Sequence, residues 1–244
     1  MPETRFGDYL SFLQDLGRSG QDHFLEGGQA VNFWAEYFSA KDAGDALSSF
    51  MPFTSKDCDV WASHAALQYL KSKKEGGRLV VGNSPADGQV GVFKIGGSPT
   101  IMVDIMSNVY GIAQNRMKRL RERTLIINDV CVIDPILLFQ SKCHCLLGLD
   151  QRGRQDEKHL KMLCLLVPEH LAGLLKEASA GHLTQRALVK ELKFLKTILG
   201  TSPVRRALKQ IGVEASDLIP IGQLQASGLT KVERFAKMEY EIEE

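Results

Sequence analysis

The chain has 244 residues, 44% hydrophobic and 24% charged, the composition of an ordinary globular protein with room for one large domain or two modest ones. A formal net charge of +1 excludes a global electrostatic commitment to nucleic acid or to an anionic membrane, so any basic patch must be local. No apolar run approaches a membrane span and the first residues lack a signal-peptide pattern. The five cysteines have no framework spacing, so reduced thiols in a cytoplasmic protein are expected.

Phe6, Leu10, Leu13 and Leu16 recur at helical spacing and predict a first helix over 6–16, ending at Gly17. A short strand over 22–26 then leads into the pair Gly27-Gly28. A helix over 29–38 follows, with Val31, Trp34, Ala35 and Phe38 on one side. The small, polar stretch 39–51 reads as a loop. Residues 53–61 read as a strand and 63–74 as a helix stopping before Gly76-Gly77. Three β-like runs come next, 78–81, 90–95 and 99–106, with a turn cluster at 83–88 between the first two. Asn128-Asp129 between two apolar runs predicts a tight hairpin. From Pro135 the period becomes helical, with helices expected over 135–148, 155–166, 168–179, 183–199, 203–211 and 230–243. Pro168 and Pro203 are placed at helix starts, and Thr230 to Glu233 is a capping box.

The chemistry concentrates in a few positions. On a strand, alternation would put the Asp57 and Asp59 carboxylates on one face, which invites a divalent cation. A Gly-Gly turn at a helix N-terminus lets backbone amides approach phosphate. A third acid, Asp104, stands in the apolar run Ile101–Met106. The same features also suit a plain strand-to-helix turn and a strand end with solvated acids.

This ordered series resembles the nucleotidyltransferase superfamily that includes polymerase β, and within it the AbiEii-type toxin-like group. The proline-led helix from Asp134 to Lys142 and the segment Arg154 to Leu160 extend the likeness, so it covers roughly residues 20 to 165. The resemblance implies an α+β fold, a mixed sheet with flanking helices, as a nucleotidyltransferase-like domain over 1–134, followed by a helical C-terminal domain over 135–244. It implies Mg²⁺ held by Asp57, Asp59 and Asp104, with these three as catalytic residues. Gly27, Gly28, Lys142 and Asp156 would bind nucleotide. It further implies an NTP substrate, a hydroxyl acceptor such as tRNA, a protein or a small molecule, and an antitoxin partner. A module of the same fold that binds nucleotide without turnover is the alternative.

Other residues read more plainly. Cys143, Cys145 and nearby Cys164 lie among leucines and suit buried thiols better than a metal site, and His64 and His159 suit packing. Asn32, one turn into its helix, faces either the pocket or solvent. Two basic stretches stand out, Arg116 to Arg123 and the stripe Arg186, Lys190 and Lys193, continued by Arg205, Arg206 and Lys209. They suit a polyanion or solvated helix faces, and no aromatic residue is read between them as a stacking platform.

Overall fold

The computed structural model describes residues 3–40, 44–73, 76–82, 88–97, 100–113 and 117–240. Seven strands, β1 (His23–Glu26), β2 (Asp59–Ala62), β3 (Gly77–Val81), β4 (Gln89–Ile95), β5 (Ile101–Met106), β6 (Thr124–Ile127) and β7 (Val130–Ile133), form one mixed sheet in the order β3-β4-β5-β2-β1-β7-β6. β1 is antiparallel to β2 and parallel to β7, and β2 is parallel to β5. The architecture is α+β, with a helical C-terminal region after β7.

β1 is buried along its whole length and runs directly into α2 (Gly27–Ser39). α2 is apolar nearly all round and therefore lies inside the molecule. Its Trp34 indole N–H donates to the Ile133 carbonyl at 2.9 Å, which fixes α2 against the end of β7. There Asp134 caps α6 (Pro135–Gly148), accepting from the Ile136 and Leu137 amides at 2.9 and 3.1 Å, with Pro135 in the first turn. Asp134 also pairs with Arg123 at 2.7 Å, and both side chains are largely buried. α6 is in turn buried among α2, α7 (Asp156–Ser179) and α9 (Ser202–Ile211).

Several sequence expectations change in the folded chain. The run 53–61 is a strand only from Asp59; Ser55 instead exchanges backbone hydrogen bonds with Thr4 at 2.8 and 3.0 Å. That early partner diverts the chain, so Asp57 lies before the strand and alternation does not govern it. The stretch 39–51 contains α3 (Gly44–Leu47) and a 3₁₀ turn at Ser48–Phe50, because Leu47 is fully buried and needs an ordered backbone; residues 41–43 lie outside the described residues. Pro168 starts no helix: it sits inside the continuous α7. An interior proline costs about 3 kcal/mol. Leu163, Leu166, Val167 and Leu171, all fully buried around it, each contribute roughly 1.5–3 kcal/mol, so packing wins.

The remaining elements are α1 (Leu10–Arg18) after a 3₁₀ turn, α4 (His64–Ser72), α5 (Met117–Glu122), α8 (Gln185–Leu199), α10 (Ile221–Gln225) and α11 (Thr230–Tyr240). The Asn128-Asp129 hairpin forms as expected, both residues adopting positive φ of 50° and 66°. Glu233 does reach back, but to the Gly228 amide at 2.7 Å. The turn residues 83–87 and the end of the last expected helix, 241–243, lie outside the described residues. No helix among the described residues is long and apolar enough to cross a membrane.

Asp134 joins the sheet to α6, so Asp134→Ala is expected to lower stability by about 2–4 kcal/mol in denaturant unfolding. Asp134→Asn, which keeps a capping oxygen, should lose less; a loss under about 0.5 kcal/mol for the alanine variant would contradict the assigned role.

Candidate functional site

The strand register assembles the site. Glu26 pairs with Asp59 across β1 and β2, and Asp59 pairs with Asp104 across β2 and β5. Residues paired laterally share a face of the sheet at strand separations of about 4.7–4.9 Å. Three carboxylates therefore stand in a row, with Asp59 in the middle. Asp57, from the segment before β2, lines the same cleft of about 730 Å³. An annex of about 60 Å³ shares Asp57, Asp59, Lys142 and Arg154 with it. Among the described residues, no three His, Cys, Asp or Glu side chains come close enough to hold a metal ion as placed.

The glycine pair is required by this crowding. Gly27 has φ +66°, and a Cβ there would lie 2.0 Å from an Asp59 carboxylate oxygen. A Cβ on Gly28 would lie 2.3 Å from the Ser55 hydroxyl and 2.8 Å from the His159 ring. The turn thus allows acids and backbone to approach where any side chain would collide.

Like charges in register repel, and burial sharpens the effect. Burial, with Asp104 and Asp57 adding to it and Lys142 opposing, lifts the Asp59 pKa to about 7. Burial and then Asp59 push Glu26 well above the ordinary carboxylate range, and its Oε1 is buried without a hydrogen-bond partner. Asp104 makes at least one further interaction and is half-buried.

The cations come from the helical region. Lys142, on α6, is 5% exposed and donates to Asp156 at 2.8 Å; Arg154 donates to the other oxygen of Asp156 at 2.6 Å. Burial works against the Lys142 ammonium, but Cys145, Asp156 and Asp59 outweigh it and hold its pKa above the ordinary lysine value. Burial would raise Asp156, yet Lys142 and Arg154 bring it down to about 2. Asp156 is therefore a fixed anion that positions two cations facing the carboxylate row.

Of the residues singled out from sequence, Gly27, Asp57, Asp59, Asp104 and Lys142 line the main cleft, and Gly28 and Asp156 line its annex. Asn32 is fully buried, donating to Gln29 at 3.1 Å, and does not line the cleft. His64 is exposed beside Gln68. Cys143, Cys145 and Cys164 are buried free thiols. Sequence reasoning missed Glu26; its signal is an acid closing an apolar strand immediately before the Gly-Gly turn. The first basic stretch is largely engaged where it is described: Arg121 pairs with Asp22, and Arg123 with Asp134 and Glu191, while the side chains of residues 114–119 lie outside the described set.

His159, 2% exposed in the annex, has its Nε2 buried without a partner, and burial followed by Lys142 depresses its pKa to about 3. The folded state thus holds it neutral while the unfolded chain protonates it below about pH 6.5. Its contribution to stability is complete above that value and falls as pH drops toward 3, by at most about 1.4 kcal/mol per pH unit. His159→Gln should flatten the decline of unfolding free energy between pH 6 and 4 relative to the parent. Parallel curves for the two proteins would rule this out.

No family model matches the chain, and no curated protein matches it. Among solved structures it is similar to an antigenic nucleotidyltransferase-like protein from Paracoccidioides brasiliensis, at 15% identity and a TM-score of 0.44, over 89% of this chain and 99% of that one.

Proposed function

We propose that the protein is a nucleotidyltransferase that moves a nucleoside monophosphate from an NTP to a hydroxyl acceptor. The observation that supports it best is the in-register row Glu26, Asp59 and Asp104 over a glycine turn, facing buried Lys142 in one cleft. Four carboxylates, Glu26, Asp57, Asp59 and Asp104, line that cleft against two cations, both already engaged by Asp156. This all-oxygen, under-compensated donor set, with the orphaned Glu26 oxygen in it, suits a hard divalent cation such as Mg²⁺. Asp57, Asp59 and Asp104 would hold the ion, which when bound supplies charge neutralisation of the phosphates.

The chain's own residues would do the rest. Gly27 and Gly28 admit the triphosphate close to the backbone at the start of α2. Lys142, locked by Asp156, faces the phosphoryl oxygens with its ammonium already oriented, as does Arg154, so the developing charge is met without rearrangement. Asp104 accepts the proton of the attacking hydroxyl as its oxygen bonds the α-phosphorus; the bond to the β-phosphate breaks and pyrophosphate leaves. The order of motifs resembles that of the AbiEii-type group, which implies an antitoxin partner; tRNA, a protein or a small molecule would serve as acceptor. The long stretch between Gly28 and Asp57, and a basic position matched only by Arg152 or Arg154, favour a second reading, a module that binds nucleotide without turnover.

The decisive assay incubates the protein with each α-labelled NTP, Mg²⁺ and cellular RNA or protein. Asp59→Asn should reduce transfer by about 10²–10⁴-fold. The same variant should raise the unfolding free energy of the metal-free protein by about 1 kcal/mol, because one repelling charge is gone. Full transfer by Asp59→Asn would end the catalytic assignment. NTP binding by calorimetry with no labelled product from any acceptor would establish the module instead.

A further inference from the structure

A second cavity, of about 420 Å³, lies on the other side of α6 from the cleft. Ser141, Lys142 and Cys145 line the cleft, whereas Leu137 and Gln140 line this cavity. Gln140 is 9% exposed, and no described residue engages its carboxamide. Its exposed surface opens on the cavity, so the donor and the acceptor of the amide are available to a ligand there.

Arg123 and Phe194 form another part of the lining. The Arg123 guanidinium lies 4.2 Å from the Phe194 ring centroid, and Asp134 at 2.7 Å and Glu191 at 2.5 Å hold it there. Lys190, also lining the cavity, is exposed and belongs to the basic row Arg186, Lys190 and Lys193 along α8. The one acid of α8, Glu191, is engaged by Arg123. Phe194 therefore supplies the aromatic that the sequence reading did not find among these cations.

We infer that this cavity is a second nucleotide site, taking a nucleobase whose hydrogen-bonding edge meets Gln140 and whose phosphate meets Lys190. A carboxamide donates and accepts side by side, which matches the paired donor and acceptor of a base edge. The guanidinium–phenyl wall offers a face for stacking, and the basic row continues the phosphate path. The volume falls within the ordinary range for small-ligand pockets. The inference does not depend on the nucleotidyltransferase reading.

The test titrates the whole chain, in EDTA, with each of the four nucleoside monophosphates and with a labelled single-stranded RNA hexamer. A phenyl-riboside monophosphate, which has the ring and phosphate but no hydrogen-bonding edge, is the control. At least one monophosphate or the hexamer should bind, and Gln140→Leu and Gln140→Glu should each weaken it at least tenfold with thermal midpoints unchanged. The phenyl analogue should bind the parent at least tenfold more weakly. Lys193→Glu weakening the hexamer alone identifies a strand as the source; no change in the binding of either ligand identifies a free nucleotide. Asp59→Ala should bind as the parent does, which separates this site from the cleft. Binding of nothing, Gln140 variants indistinguishable from the parent, or loss of binding in Asp59→Ala would each overturn the inference.

Discussion

The structure turns on the approach of the Asp59 carboxylate to Gly27. A Cβ at Gly27 would lie 2.0 Å from a carboxylate oxygen of Asp59, and the same aspartate is in register with Glu26 on one side and Asp104 on the other. Only a residue without a side chain, able to adopt φ +66°, lets β1 turn into α2 at this spot. The result is a concentration of negative charge across three adjacent strands, next to the start of a buried helix.

Such a row is unfavourable by itself, and the fold offsets it from the helical side. Lys142 and Arg154 are both attached to one carboxylate, Asp156, whose pKa they hold at about 2. A cluster of this kind, with Lys142 and Asp156 buried and Arg154 exposed, contributes orientation more than stability, since desolvating the buried ions is expensive. It leaves two cations pointed at the acids without neutralising them fully. The strained electrostatics that remain, an Asp59 with a pKa near 7 and a Glu26 oxygen with no partner, are of the kind that accumulates at functional sites.

α6 connects these parts. Its N-terminus is fixed by Asp134, its middle carries Lys142 toward the cleft, and Gln140 lines the neighbouring cavity. Arg123 joins the same Asp134 to Glu191 on α8, so the cap of α6 and the wall of the second cavity share one buried ion network. A change at Asp134 is therefore felt on both sides of the helix.

Much of this was legible in the residues taken in order. Short apolar β-like runs marked most strands, Asn128-Asp129 marked the hairpin, and Asp134-Pro135 marked the start of α6, because each signal is set by local backbone preference. Gly27, Asp59, Asp104 and Lys142 stood out for the same reason: unusual residues in otherwise apolar elements. What sequence alone left undecided was which strands are neighbours. Glu26 joined the acidic row only through β1–β2 pairing, and Asp57 left its strand because Ser55 pairs with Thr4, fifty-one residues away. Pro168 continued a helix because surrounding leucines outweigh its local penalty. Local chemistry chose the elements and the reactive side chains; long-range pairing and burial chose which of them meet, since those energies exist only once distant segments are packed together.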